Sequence, residues 1–294
     1  MSDKKLAILV VHGMGSQGLK VQPSSDIPTY SKHLRHRIRK LIGARMFDET
    51  IAWREVVWAD VLQARQKAYL ARIKRKTRSD GIRAFMLCNF SDASSYRKTG
   101  DAKDNTYEHI HERVRKTLGE LEKDVEAGAP VLVLAHSLGG HIMSNYIYDH
   151  KDDQHGGSPF QSLKTMGGLV TFGCNIPLFT FAYDPEDIFP IKFPGVDLPK
   201  EKRLSPWWRN FYDKDDVLGY PLQDISPSYK AMIANKDLLE KPIDVGDFLT
   251  AWNPLSHNAY WRDADFFEPT AAMIKNFCRR PKQPLGLFIC RGIP

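Results

Sequence analysis

Apolar residues follow two different rhythms along this chain. Leu6–Val11 (Leu-Ala-Ile-Leu-Val-Val) is a short unbroken apolar run, the pattern of a strand covered on both faces. Residues 51–58 (Ile-Ala-Trp-Arg-Glu-Val-Val-Trp), 131–135, 167–173 and 207–212 are rich in β-branched and aromatic residues and read as further strands. A last strand or extended piece is expected near 243–251. Between these runs the spacing is helical. Ile110, Val114, Leu118, Leu121 and Val125 recur at intervals of 4, 4, 3 and 4, which puts them on one face of a helix over 106–127. Asn105, with Glu108 three residues on, has the form of a capping box, and Gly128 and Pro130 close the helix. Other helices are expected over 28–42 (Pro28 in the first turn, Gly43 past the end), 60–76, 138–149 and 261–278.

Strands alternating with helices predict the α/β class: a mainly parallel sheet with helices on both faces. No domain boundary is visible, so residues 1–294 read as one domain. Two stretches break the rhythm. Residues 60–104 read as an insert, whose part from 79 is rich in Ser, Asp, Gly and Lys and has the look of a lid. Residues 174–206 carry many prolines and aromatics without a helical period, as expected of an excursion over the C-terminal edge of the sheet. It would either line a pocket or pack as core. The tail from Arg279 reads as irregular.

Composition narrows the class. The chain is 42% hydrophobic and 26% charged, as in soluble globular proteins, and has no window of the length a membrane span needs. Lys4 and Lys5 precede only a six-residue apolar run, which does not read as a secretory signal. The four cysteines (88, 174, 278 and 290) are scattered and form no C-x-x-C pair, so they fit free thiols in a reducing, cytoplasmic setting. Net charge is +7, and the excess is concentrated at 65–78, where seven Lys and Arg occur with no acid before Asp80. Such a run is most often a solvated helix face. It also suits an anionic membrane surface, with the chain bound peripherally. No nucleic-acid module accompanies it, so no nucleic-acid partner is expected.

The chemistry concentrates at Val131–Gly140, where an apolar strand runs into Ala135-His136-Ser137-Leu138-Gly139-Gly140 ahead of a helical segment. Small residues two before and two after a serine permit a sharp strand-to-helix turn that presents the hydroxyl. A serine hydroxyl is a weak nucleophile at neutral pH and needs a base, which in turn needs an orienting acid. After the first strand, Val11-His12-Gly13-Met14-Gly15 forms a glycine-rich loop. Gly13-Met14-Gly15-Ser16-Gln17-Gly18 also fits the dinucleotide string, but Asp26 comes too early and Asp48 too late for the acid that string requires. No cluster has metal-ligand spacing.

These segments, with Asp216-Val217 and Ser256-His257, resemble the α/β-hydrolase superfamily, and most of all its lipase and esterase branches. The resemblance spans about residues 5–275 by order and spacing, with Ala135 where glycine is usual. It implies an α/β-hydrolase fold whose first one or two strands are missing. It also implies the chain order nucleophile, acid, base. Ser137 is then the nucleophile, and among ten histidines only His257 lies beyond the acidic turn at 213–216. The acid falls among Asp213, Asp215 and Asp216. Asp216, just ahead of an apolar residue, is favoured, Asp213 is the alternative, and Glu186 and Asp187 are remote ones. Leu138 N–H and Met14 N–H would form the oxyanion hole. His12 would support that loop by hydrogen bonding, and His136 would pack beside the nucleophile. The implied activity is hydrolysis of a small-molecule or lipid ester through an acyl-enzyme, with no cofactor and no metal. Thioesterase, amidase and acyltransferase chemistry would use the same residues. A non-catalytic hydrolase-like binding protein at membranes is the reading from another class.

Overall fold

A computed structural model describes residues 4–13, 28–74, 76, 80–100, 104–150, 157–246 and 256–279. Six strands form one sheet: β1 (Leu6–Val11), β2 (Ile51–Val56), β3 (Val131–His136), β4 (Met166–Phe172), β5 (Trp208–Asp213) and β6 (Leu238–Ile243). Their order is β2-β1-β3-β4-β5-β6, and every neighbouring pair is parallel. Eight α-helices lie among the described residues: α1 (Lys32–Ile42), α2 (Ala44–Thr50), α3 (Asp60–Ile73), α4 (Asp80–Ser95), α5 (Thr106–Glu122), α6 (Leu138–Asp149), α7 (Pro227–Ala234) and α8 (Ala264–Cys278). None of them is long and apolar enough to cross a membrane.

The central strands β1, β3 and β4 are buried on both faces, and the alternation of side chains along each strand divides the core in two. Ala7, Leu9 and Val11 of β1 with Val131, Val133 and Ala135 of β3 lie on the face covered by α5 and α6. Leu6, Ile8 and Val10 with Leu132 and Leu134 meet α1, α2 and α8. The apolar face read from the spacing of α5 is the buried one, with Ile110, Val114, Leu118 and Leu121 all inside.

Several boundaries differ from the sequence reading. The first helix begins at Lys32, not near Pro28, because the Glu55 carboxylate holds the preceding segment off the helical path. It accepts hydrogen bonds from the Thr29 N–H and hydroxyl at 2.8 Å each and from the Ser31 N–H at 2.6 Å. The capping box at Asn105 is not made. Its backbone (φ −107°, ψ 22°) is not extended, and its side chain caps nothing. That helix ends at Glu122, and a turn carries the chain on to Gly128.

The stretch from 79 contains α4, which packs on α3. Gln66 Nε2 donates to Ser91 Oγ at 2.8 Å and to Asp92 Oδ1 at 2.6 Å, so a tertiary partner supports a helix that polar composition hid. The last strand is β6, ahead of the expected 243–251, most of which lies outside the described residues. Glu240, Lys241 and Pro242 mask its pattern, and an edge strand tolerates all three. The short helices α2 and α7 were not anticipated. The excursion at 174–206 has only three short 3-10 turns, as its composition suggested.

The burial of α5 sets a stability expectation. Leu118→Ala should lower unfolding free energy by about 2–5 kcal/mol, and Lys116→Ala on the exposed face of the same helix by under about 0.5 kcal/mol, measured by urea denaturation. Equal effects would contradict the assigned face.

Candidate active site

The strand order fixes where a site can form. From β1 the chain moves to one side of the sheet, to β2, and from β3 it moves to the other, through β4 to β6. Ligands in open parallel sheets bind outside the carboxyl ends of the strands where the winding direction reverses. His12-Gly13 follows β1, and Ser137 follows β3, at that crevice.

Ser137 is the single residue between β3 and α6, with φ 53° and ψ −125°. Its N–H donates to Phe172 O at 3.0 Å and its carbonyl accepts from Gly140 N–H at 2.9 Å, so sheet and helix both grip the turn. The glycines around it are needed for space. A β-carbon on Gly13 would stand 2.3 Å from Ser137 Cβ, and one on Gly139 would stand 2.7 Å from Val11 O. Leu138 opens α6, whose first-turn N–H groups have no acceptor within the helix. Met14, the other expected oxyanion donor, lies outside the described residues.

The acidic turn after β5 separates its aspartates. Asp216 accepts from His257 Nδ1 at 2.8 Å (Oδ2) and 3.0 Å (Oδ1). Leu218 N–H donates to Oδ1 at 3.0 Å, and Tyr260 O–H donates to Oδ2 at 3.0 Å. Burial pushes the Asp216 carboxyl up, but these donors outweigh it and hold it below the usual carboxylate range. An ionised carboxylate only accepts, so the proton of the neutral imidazole sits on Nδ1, and Nε2 carries the lone pair. Asp213 is used elsewhere: its carboxylate accepts from Asp215 N–H at 2.8 Å and Val245 N–H at 2.6 Å, which ties the start of the turn to the exit of β6. The structure brings Asp216 to His257 and leaves Asp213 as a turn residue.

Polar bonds across the sheet seat this turn. Asn210 Nδ2 donates to Tyr220 O and Glu240 Oε1, both at 3.1 Å, and Tyr220 N–H donates to Cys174 O at 2.9 Å. His257 lies on a 3-10 turn, Ser256–Trp261. His136 Nε2 donates to the His257 carbonyl at 2.7 Å. His136 thus holds the loop of the second histidine in place, a role that its position beside the serine did not reveal. Ser137 Oγ and His257 Nε2 are both buried, and neither has a hydrogen-bond partner among the described residues.

His12 donates from Nδ1 to Gly13 O at 2.7 Å and stacks on Trp58, with ring centroids 4.8 Å apart. Burial lowers its pKa to about 4, and burial with the neighbouring His257 takes His136 well below its ordinary value. Both stay neutral near pH 7. Among the described residues no group of three or more His, Cys, Asp or Glu is arranged to hold a metal ion. Neither protein-family models nor curated proteins give a match to this chain.

The buried imidazoles set a pH expectation. His12 protonates at its ordinary 6.5 in the unfolded chain and at about 4 in the folded one, so the unfolded state binds more protons between those values. Its contribution is complete above about pH 6.5 and is lost as pH falls toward 4, amounting to about 3 kcal/mol. His12→Asn keeps a donor for Gly13 O but does not titrate, and should flatten the fall in urea-unfolding free energy between pH 6.5 and 4. An unchanged pH dependence would contradict the assignment.

Proposed function

We propose that this chain is a serine hydrolase of carboxylic esters with an α/β-hydrolase fold. The observation that carries the reading is the Asp216–His257 pair, hydrogen-bonded at 2.8 Å in the same crevice as a serine on a strained strand-to-helix turn. Three further features support it. The two atoms that would exchange a proton, Ser137 Oγ and His257 Nε2, are both buried and carry no competing hydrogen bond among the described residues, although they are not bonded to each other either. The winding of the sheet reverses between the strands that carry the two loops, and the order Ser137, Asp216, His257 is that of the superfamily.

In this mechanism His257 Nε2 takes the hydroxyl proton as Ser137 Oγ bonds to the acyl carbon. The N–H groups of Leu138 and Met14 stabilise the resulting oxyanion, and Asp216 stabilises the imidazolium. The bond from the acyl carbon to the alkoxy oxygen then breaks, and the leaving oxygen takes the proton from His257. Water repeats the sequence on the acyl-enzyme and restores the serine. No cofactor or metal takes part. Thioesterase, amidase and acyltransferase activities need the same groups, and a panel of acyl substrates separates them.

A second proposal concerns the basic run. Among its described side chains, α3 buries only Leu62, and Arg65, Lys67, Arg72, Lys74 and Lys76 along it and just after it are exposed. We propose an anionic lipid surface as their partner, reached from the cytoplasm.

Two measurements follow. With p-nitrophenyl esters of rising chain length, Ser137→Ala should abolish turnover. Asp216→Asn should lower kcat about 10³–10⁴-fold, and Asp213→Asn should cost under about 10-fold if folding is retained. Turnover surviving in Ser137→Ala would sink the hydrolase reading, and the reverse ranking of the aspartates would reassign the acid. In sedimentation with phosphatidylserine vesicles, R72E with K74E should halve binding or better. Binding equal to wild type, or none by wild type, would remove the lipid partner.

A further inference from the structure

Tyr260 is fully buried, and its hydroxyl makes two hydrogen bonds. It accepts from the Asp213 N–H at 2.8 Å and donates to Asp216 Oδ2 at 3.0 Å. The direction of the second bond follows from the first. The phenol has one proton, and an ionised carboxylate can only accept it. Its acceptor side faces the last residue of β5, a fixed point of the sheet.

Tyr260 and His257 share the 3-10 turn Ser256–Trp261. Such a turn has three residues per turn, so positions three apart lie on one side. Both side chains of that side reach the same carboxylate, and both bond Oδ2. The ring is locked independently of its hydroxyl, within about 6 Å of His136 and Phe172 and edge-on to Phe266. Leu218 N–H holds the other oxygen, Oδ1. With these two donors in place the carboxylate cannot rotate without losing a bond.

We propose that Tyr260 is a positioning residue, whose hydroxyl fixes the Asp216 carboxylate in the orientation that receives the His257 imidazole. Asp213 serves the site through its backbone, by orienting that hydroxyl. The direction of the Asp216 pKa agrees, since the Tyr260 bond is one of the contacts that keep it ionised despite burial. The kinetic consequence rests on the hydrolase reading, whereas the effect on the carboxylate does not.

The test is Tyr260→Phe, which keeps the ring and removes the hydroxyl. Titration of the Asp216 carboxyl by carbon-13 NMR should have its midpoint moved to higher pH by about one pH unit. With p-nitrophenyl acetate, kcat should fall about 10-fold and KM should stay within about twofold. The acid limb of kcat/KM should move to higher pH, because a more basic carboxylate holds the imidazolium proton more tightly. An unmoved carboxyl midpoint overturns the proposal, whatever happens to turnover. If the Phe variant fails to fold, fluorotyrosine incorporated at position 260 supplies a stronger donor. The midpoint should then move to lower pH, and no movement again overturns the proposal. If wild-type protein hydrolyses no ester, the hydrolase reading fails, and the carboxyl titration still decides the role of Tyr260.

Discussion

The site depends on one strained residue. Ser137 is held at φ 53°, where a residue with a β-carbon sits at a cost of about 1–3 kcal/mol. No extra loop relieves it, because β3 ends at His136 and α6 begins at Leu138. The conformation persists because its surroundings over-determine it. β3 lies between β1 and β4, every residue of it is buried, and the Ser137 N–H continues the bonding to β4. The close approach of Gly13 and Gly139 follows from the same turn, since it brings the start of α6 against the end of β1.

Charge at this crevice is kept scarce by burial. His12 and His136 are inside and neutral near pH 7, and act as fixed donors, one to the Gly13 carbonyl and one to the His257 carbonyl. Asp216 is the exception: it stays ionised because three donors converge on it. The two imidazoles thus provide rigidity and the carboxylate provides polarity. A low-dielectric setting of this kind strengthens the remaining electrostatic contacts.

The central strands and the amphipathic helix before the serine were legible because burial on both faces leaves unbroken apolar runs and burial on one side leaves a helical period. The candidates Ser137, Asp216 and His257 come from motif and order, although the sequence left three aspartates open. Geometry separates them, since Asp213 bonds the exit of β6 and Asp216 bonds His257. What stayed hidden has a common cause. α4 depends on α3 for its support, β6 is an edge strand carrying Glu, Lys and Pro, and the start of α1 answers to Glu55 on another element. Tyr260 was equally hidden, although its spacing of three from His257 is a signal once the segment is known to be a 3-10 turn. Partners distant in sequence leave no local pattern.

The central claim is that Ser137 is an activated nucleophile and not a buried turn residue. Treatment with a fluorophosphonate, followed by peptide mapping by mass spectrometry, tests it directly. One adduct is expected, on Ser137, formed more slowly in His257→Ala and absent in Ser137→Ala. No adduct on the folded wild-type protein, or an adduct on another residue that persists in Ser137→Ala, would contradict it.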